Sequence, residues 1–280
     1  MTPLAPRTGH DRRTPRERLE RRLFRIYKTL QHRVDRSLPQ TYIFIARVQR
    51  SGTNMLMEVL EWSLHTDVYH EIDRRAFDHL YLMRPTEVIQ DLARKSHAPF
   101  FVIKSLCELD RLKQLMDTFE PARAIWVLRD YHDSSLSAVR SFANFVPQMR
   151  RLARDPDSDV WRGRGMSAAT QALLAHVAEQ NPSELDGAAI MWYYRNVLFF
   201  EQGLDRDPRV ALLHYEDWVR EPARRLANLC RFIGLPGCSG WMTRYIHAAS
   251  VGKPRTADLL PDVETACAGL MARFAALEAL

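Results

Sequence analysis

An α/β fold, with a central parallel sheet and helices on both of its faces, is predicted by three features of the sequence. Short apolar runs stand at 42–48, 100–104, 124–128 and 210–215. Each has strand length and little alternation with polar residues, as strands buried on both faces require. Helical spacing fills the intervals, at about 53–64, 85–94, 109–118, 132–145, 167–179, 184–200 and 221–232, which is the alternation of a parallel sheet. The chain has 280 residues, 46% hydrophobic and 26% charged, sufficient for one large domain with a buried core.

Residues 1–40 read as a basic segment ahead of a single domain at 41–280. Its first fourteen residues are polar and rich in Pro and Arg, a composition that predicts disorder. From Thr14, placed as an N-cap with Pro15 at the first helical position, Leu19, Leu23, Ile26, Tyr27, Leu30 and Val34 recur at helical spacing among arginines. A basic amphipathic helix of this kind can meet anionic lipid or an acidic partner. The expectation is that its stripe packs on its own domain.

The net charge of +6 resides in this segment. Residues 1–36 hold eleven Lys/Arg against four Asp/Glu, and the remainder carries a net charge of −1. A basic nucleic-acid-binding face is therefore not implied. No apolar run is long enough to span a bilayer, and the N-terminus has no apolar signal core. Cys107, Cys230, Cys238 and Cys267 lack metal-site spacing. They are read as buried free thiols in a cytoplasmic protein, with Cys230–Cys238 as the one conceivable pair. The stretch 147–187, broken by DPDSD, RGRG and NPSE, is read as an insertion at the sheet edge or over a site.

The first strand runs directly into Gln49-Arg50-Ser51-Gly52-Thr53-Asn54 and then into a helix. Successive backbone N–H groups at a helix N-terminus suit a phosphate, and Gly52 allows close approach. Arg50 supplies charge, while Ser51, Thr53 and Asn54 supply side-chain donors. The GxxxxGK[ST] form of ATP-hydrolysing and kinase loops is absent, so phosphate binding without a metal is expected. Farther on, Arg129 leaves the end of the third run, and Ser137 follows eight residues later on a helix. A guanidinium and a hydroxyl at the C-terminal edge of a parallel sheet suit a phosphate monoester.

These two motifs, in this order, resemble those of the sulfotransferases that use PAPS (3′-phosphoadenosine 5′-phosphosulfate), whose core is P-loop-like. A third segment, Leu213-His214-Tyr215-Glu216-Asp217-Trp218 through Phe232-Ile233-Gly234-Leu235, extends the resemblance over about 42–252. The resemblance implies that Arg50, Ser51, Gly52, Thr53 and Asn54 close around the 5′-phosphosulfate, though many relatives carry Lys in place of Arg50. It implies that Arg129 and Ser137 hold the 3′-phosphate and that Tyr215 lies near the adenine. Lys253 and Arg255 stand where the family has a basic loop over the 3′-phosphate, but without its usual form.

One branch of the family places a catalytic His two residues after the Lys of its second core strand. Here Lys104 is followed by Ser105 and Leu106, and Leu106 cannot take a proton. Another branch places a Glu shortly after the first helix, which implies Glu71 as the base, with His70 as the second choice. Glu58 is read as solvated or helix-pairing, and Lys104 as steadying the transferring group or the acceptor. The implied reaction moves a sulfuryl group from PAPS to the hydroxyl or amine of a small-molecule or glycolipid acceptor and leaves adenosine 3′,5′-bisphosphate. Trp161, Trp192, Tyr193 and Tyr194 fit either an acceptor pocket or the core. A nucleotide-dependent kinase and a non-catalytic nucleotide-binding module are the alternatives.

Overall fold

The computed structural model describes residues 15–32, 40–49, 53–246 and 258–280. In chain order the elements are α1 (Pro15–His32), β1 (Thr41–Arg47), α2 (Thr53–Leu60), β2 (Thr66–Tyr69), α3 (Thr86–Lys95), β3 (Phe100–Ser105), α4 (Leu112–Thr118), β4 (Ala122–Leu128), α5 (Tyr131–Val139), α6 (Phe145–Arg154), α7 (Ala168–Glu179), α8 (Glu184–Glu201), β5 (Val210–His214), α9 (Tyr215–Arg220), α10 (Pro222–Ile233) and α11 (Pro261–Ala275). The five strands form one parallel sheet in the order β2-β3-β1-β4-β5.

Alternate residues of β1 serve opposite faces. Ile43 and Ile45 join the cluster under α2, α9 and α10, which includes Leu56, Leu60, Trp218 and Leu229. Phe44 and Ala46 join the cluster under α4, α8 and α11, with Leu115, Trp192 and Phe274. Both faces are thus covered, which is why these strands carry uninterrupted apolar runs.

The sequence reading missed β2. It is a four-residue edge strand, Thr-Asp-Val-Tyr, with two half-buried positions, so it presents no apolar run. The expected helix at 53–64 ends at Leu60, where the Thr66 hydroxyl donates to the Leu60 carbonyl at 2.6 Å. The helix expected at 132–145 stops at Val139, and Asn144, in a left-handed conformation (φ 68°), precedes α6. Tyr215, expected at the end of a strand, instead opens α9, and Pro222, which cannot donate a backbone hydrogen bond, begins α10.

Two expectations are corrected. Cys230 and Cys238 are joined in a disulfide, not free thiols. Gly234, with φ +76°, caps α10 and turns the chain back on itself. This brings the two Cα atoms to 6.4 Å and removes the cysteine argument for a reducing compartment. Cys107 and Cys267 are free and buried.

The second correction concerns α1, whose apolar stripe does not pack on the domain. Leu19, Leu23, Ile26, Tyr27 and Leu30 are each at least half exposed. The inward face is ionic instead: Arg21 donates to Glu58 at 3.1 Å and to Glu61 at 3.0 Å, and Lys28 donates to the Glu61 carbonyl and the Thr66 hydroxyl, both at 3.1 Å. The expectations of disorder at 1–14 and of an N-cap at Thr14 lie outside the described residues, as does Val34 of the stripe.

Candidate active site

From β1 the chain leaves toward the edge strand β2, whereas from β3 it crosses over β1 to β4. Neighbouring strands whose connections depart in opposite directions leave a crevice at their C-terminal ends, the usual ligand position in an open α/β sheet. Among the described residues, three buried cations collect along this edge: Arg47 at the last position of β1, Lys104 near the end of β3, and Arg129 just beyond β4. Buried cations require anions close by, and the arrangement of partners divides the edge into two centres.

At the first centre Lys104 is fully buried. Its Nζ donates to Asn54 Oδ1 at 2.7 Å and to Glu71 Oε2. Residues from the first turn of α2, the loop after β2 and the end of β3 are thereby joined. Burial and the nearby Arg47 charge push the Lys104 ammonium down to about 7, against the pull of Glu71 in the other direction. Burial alone would raise the Glu71 carboxyl, but Lys104 and Arg47 outweigh it and hold Glu71 below the ordinary carboxylate range. Glu71 is therefore ionised at neutral pH, and Lys104 is poised to gain or lose a proton there.

His70 lies elsewhere. Its Nε2 is 3.1 Å from Glu61 Oε1, and Glu61 also accepts from Arg21 of α1. Successive residues at a strand end point to opposite sides, so His70 faces the contact between α1 and α2 while Glu71 meets Lys104. Glu58, read as solvated or helix-pairing, pairs with Arg21.

At the second centre Asp130 caps α5, accepting from the His132 and Asp133 backbone N–H groups at 2.9 and 3.1 Å. Arg129 lies beneath, 3.7 Å from Asp133 and with its guanidinium 4.7 Å from the centroid of the Tyr215 ring. Its carbonyl accepts from Trp192 Nε1 at 2.9 Å, which fixes the backbone at the strand end. Ser137 is half-buried one helical turn beyond Asp133. Arg129 and Tyr215, distant in sequence, are thus in contact, and Ser137 follows on the adjoining helix.

Leu106, where one family branch has its base, packs with Cys107 and Trp161. Fully buried Arg195 of α8 pins this loop, donating to the carbonyls of Leu106, Cys107 and Trp161 at 3.2, 3.3 and 3.3 Å. The region read as an insertion therefore packs against the loop after β3. Trp192 and Tyr194 belong to the main core, with Tyr193 packed against it.

Thr53 opens α2, whereas Arg50, Ser51, Gly52, Lys253 and Arg255 lie outside the described residues. Sequence reasoning missed Arg47 and Asp133. A signal for Arg47 was present, since a charge inside an apolar strand is seldom buried without a purpose. Asp133 stands four residues after Arg129, a spacing that permits an ion pair.

The sulfotransferase domain family matches residues 40–265 of the chain. Among solved structures, the sulfotransferase domain of the Synechococcus PCC 7002 olefin synthase is 16% identical, with a TM-score of 0.54 over 86% of this chain and 96% of that one. The sulfotransferase domain from the curacin biosynthetic pathway is also 16% identical, with a TM-score of 0.50 over 88% of this chain and 100% of that one. At such identities these two likenesses concern the fold. No curated protein sequence matches the chain. With the family's domain spanning most of its length and the parallel α/β architecture in place, this chain belongs to the sulfotransferase domain family and is a sulfotransferase.

Proposed function

We propose that this sulfotransferase takes PAPS as donor and a hydroxyl or amine of a small molecule or glycolipid as acceptor. The observation that carries the reading is the division of the buried cations into two centres, Lys104 with Arg47 and Arg129 with Tyr215, along one sheet edge. A nucleotide with anionic groups at both its 5′ and 3′ positions suits two such centres. A nucleoside triphosphate, whose charge is gathered at one end, does not use the second. When bound, PAPS supplies a sulfuryl group attached to a good phosphate leaving group.

In this reading Arg50, Ser51, Gly52, Thr53 and Asn54 bind the 5′-phosphosulfate, with Lys104 beside Asn54 as a further cation. Arg129 and Ser137 bind the 3′-phosphate, Lys253 and Arg255 cover it, and the Tyr215 ring, held against Arg129, borders the adenine. Glu71 receives the acceptor's proton on its carboxylate. Lys104, hydrogen-bonded to that carboxylate, keeps it oriented and offers positive charge where negative charge develops. His70, bound to Glu61, serves the packing of α1 and not the proton transfer.

Removing the Arg129 side chain tests the nucleotide assignment. Arg129→Ala is expected to weaken adenosine 3′,5′-bisphosphate binding by about 2 kcal/mol or more, the loss of a charge-assisted pair. Adenosine 5′-monophosphate, which lacks the 3′-phosphate, should lose much less. Titration calorimetry with both nucleotides measures the difference, and equal losses would assign Arg129 to structure alone.

A further inference from the structure

Helix α1 is inverted relative to an ordinary surface helix. Its ionic residues Glu17, Glu20, Arg21 and Lys28 face the protein, with Phe24 among them, while Leu19, Leu23, Ile26, Tyr27 and Leu30 face outward. The inward face is well anchored. Arg21 is nearly buried among Glu17, Glu58 and Glu61, and Glu20 accepts from the Tyr245 hydroxyl at 2.5 Å. Burial pushes the Lys28 ammonium down to about 8, with Asp67 and Glu61 pulling the other way. Rotating the helix to hide its leucines would break this network and bury charges without partners. The outward stripe is therefore a fixed property of the docked helix.

The charges around the stripe are predominantly positive. Arg16, Arg18, Arg22 and Arg25 are exposed; Glu20 pairs with Arg16 at 3.0 Å and Glu61 lies 3.8 Å from Arg25, which leaves the arginines in excess. Arg18, Arg22, Arg25 and Ile26, together with the ion-paired Arg21, line a groove of about 520 Å³. Trp241, half exposed, stands 6.1 Å from Phe24 on the other flank. In sequence, Arg7, Arg12 and Arg13 precede the helix.

We infer that α1 is an interfacial docking element that lays this face on an anionic lipid bilayer. The leucines and Ile26 enter the boundary between headgroups and acyl chains, the arginine groove receives lipid phosphates, and Trp241 lies at headgroup level. Charge complementarity selects this occupant over a second copy of the chain. Two such faces brought together would oppose a surplus of arginine to the same surplus, a like-charge contact. The inference does not rest on the sulfuryl-transfer reading, and its test contains no nucleotide.

Co-sedimentation of the full chain with vesicles decides it. Binding is expected to mixed phosphatidylcholine–phosphatidylglycerol vesicles and not to phosphatidylcholine alone, and is expected to weaken as salt rises. Leu23→Ser with Ile26→Ser should weaken binding by on the order of tenfold or more, through lost apolar burial. Arg22→Gln should weaken it by roughly fivefold. Thermal melts of these variants should match the parent, because the altered side chains are exposed. The inference is overturned if the parent fails to bind anionic vesicles or if the Leu23/Ile26 variant binds as well as the parent. It is equally overturned if the parent self-associates without lipid through this face, shown by light scattering and abolished by the same two substitutions.

Discussion

Glu71→Gln is expected to lower turnover by about 10²–10⁴, the usual contribution of a positioned base, while adenosine 3′,5′-bisphosphate still binds. The substitution keeps the size and hydrogen-bonding shape of the side chain but cannot accept the acceptor's proton. It also removes the carboxylate that pulls the Lys104 ammonium upward, so part of any loss could come through Lys104. The pH profile separates the two effects. If Glu71 were only the counter-ion of Lys104, activity would return as the pH falls and Lys104 regains its proton. If Glu71 is the base, the deficit persists across the whole range. Glu58→Gln, whose carboxylate pairs with Arg21 of α1, should remain nearly as active as the parent. His70→Ala should likewise lose far less than Glu71→Gln, since His70 is bonded to Glu61.

Lys104→Met is expected to lower kcat by about 10²–10³, the magnitude seen when a donor aimed at developing negative charge is removed. Methionine fills the buried volume without the charge. In the parent, burial and Arg47 hold Lys104 down to about 7, and its protonated form is the useful one. The free-enzyme profile, kcat/KM, should therefore fall as pH rises through about 7. The kcat profile should fall at higher pH, because bound anions favour the ammonium. Lys104→Arg, which retains its charge at any working pH, should abolish the alkaline fall in kcat/KM even if its absolute rate is reduced. An unchanged alkaline limb in Lys104→Arg would assign that limb to another group.

The parts of this molecule that could be read from sequence are those where local chemistry and tertiary role agree. Buried parallel strands must be apolar on both sides, so β1, β3, β4 and β5 announced themselves, whereas β2, short and at the edge, carries Asp67 and gave no such run. Arg129 was legible because a cation at a strand end is conspicuous. Its contact with Tyr215 could not be seen until β4 and β5 were paired. The Lys104–Asn54–Glu71 centre draws on three elements separated by long connections. The resemblance supplied the residues of that centre and the fold supplied their meeting. Periodicity found the stripe of α1 correctly but assigned it the wrong side. The rule that apolar faces turn inward gives way where a buried arginine, a lysine and three carboxylates lock the opposite face in place.

Transfer of labelled sulfur from PAPS decides whether the protein moves a sulfuryl or a phosphoryl group. The full chain is incubated with PAPS carrying radioactive sulfur and a panel of hydroxyl- and amine-bearing small molecules and glycolipids, alongside parallel reactions with ATP labelled in its γ-phosphate. Label is expected on at least one acceptor from PAPS, with inhibition by adenosine 3′,5′-bisphosphate, loss of transfer in Glu71→Gln, and no phosphoryl transfer from ATP. Phosphoryl transfer from ATP, with no sulfuryl transfer to any acceptor in the panel, would contradict the assignment of PAPS as donor.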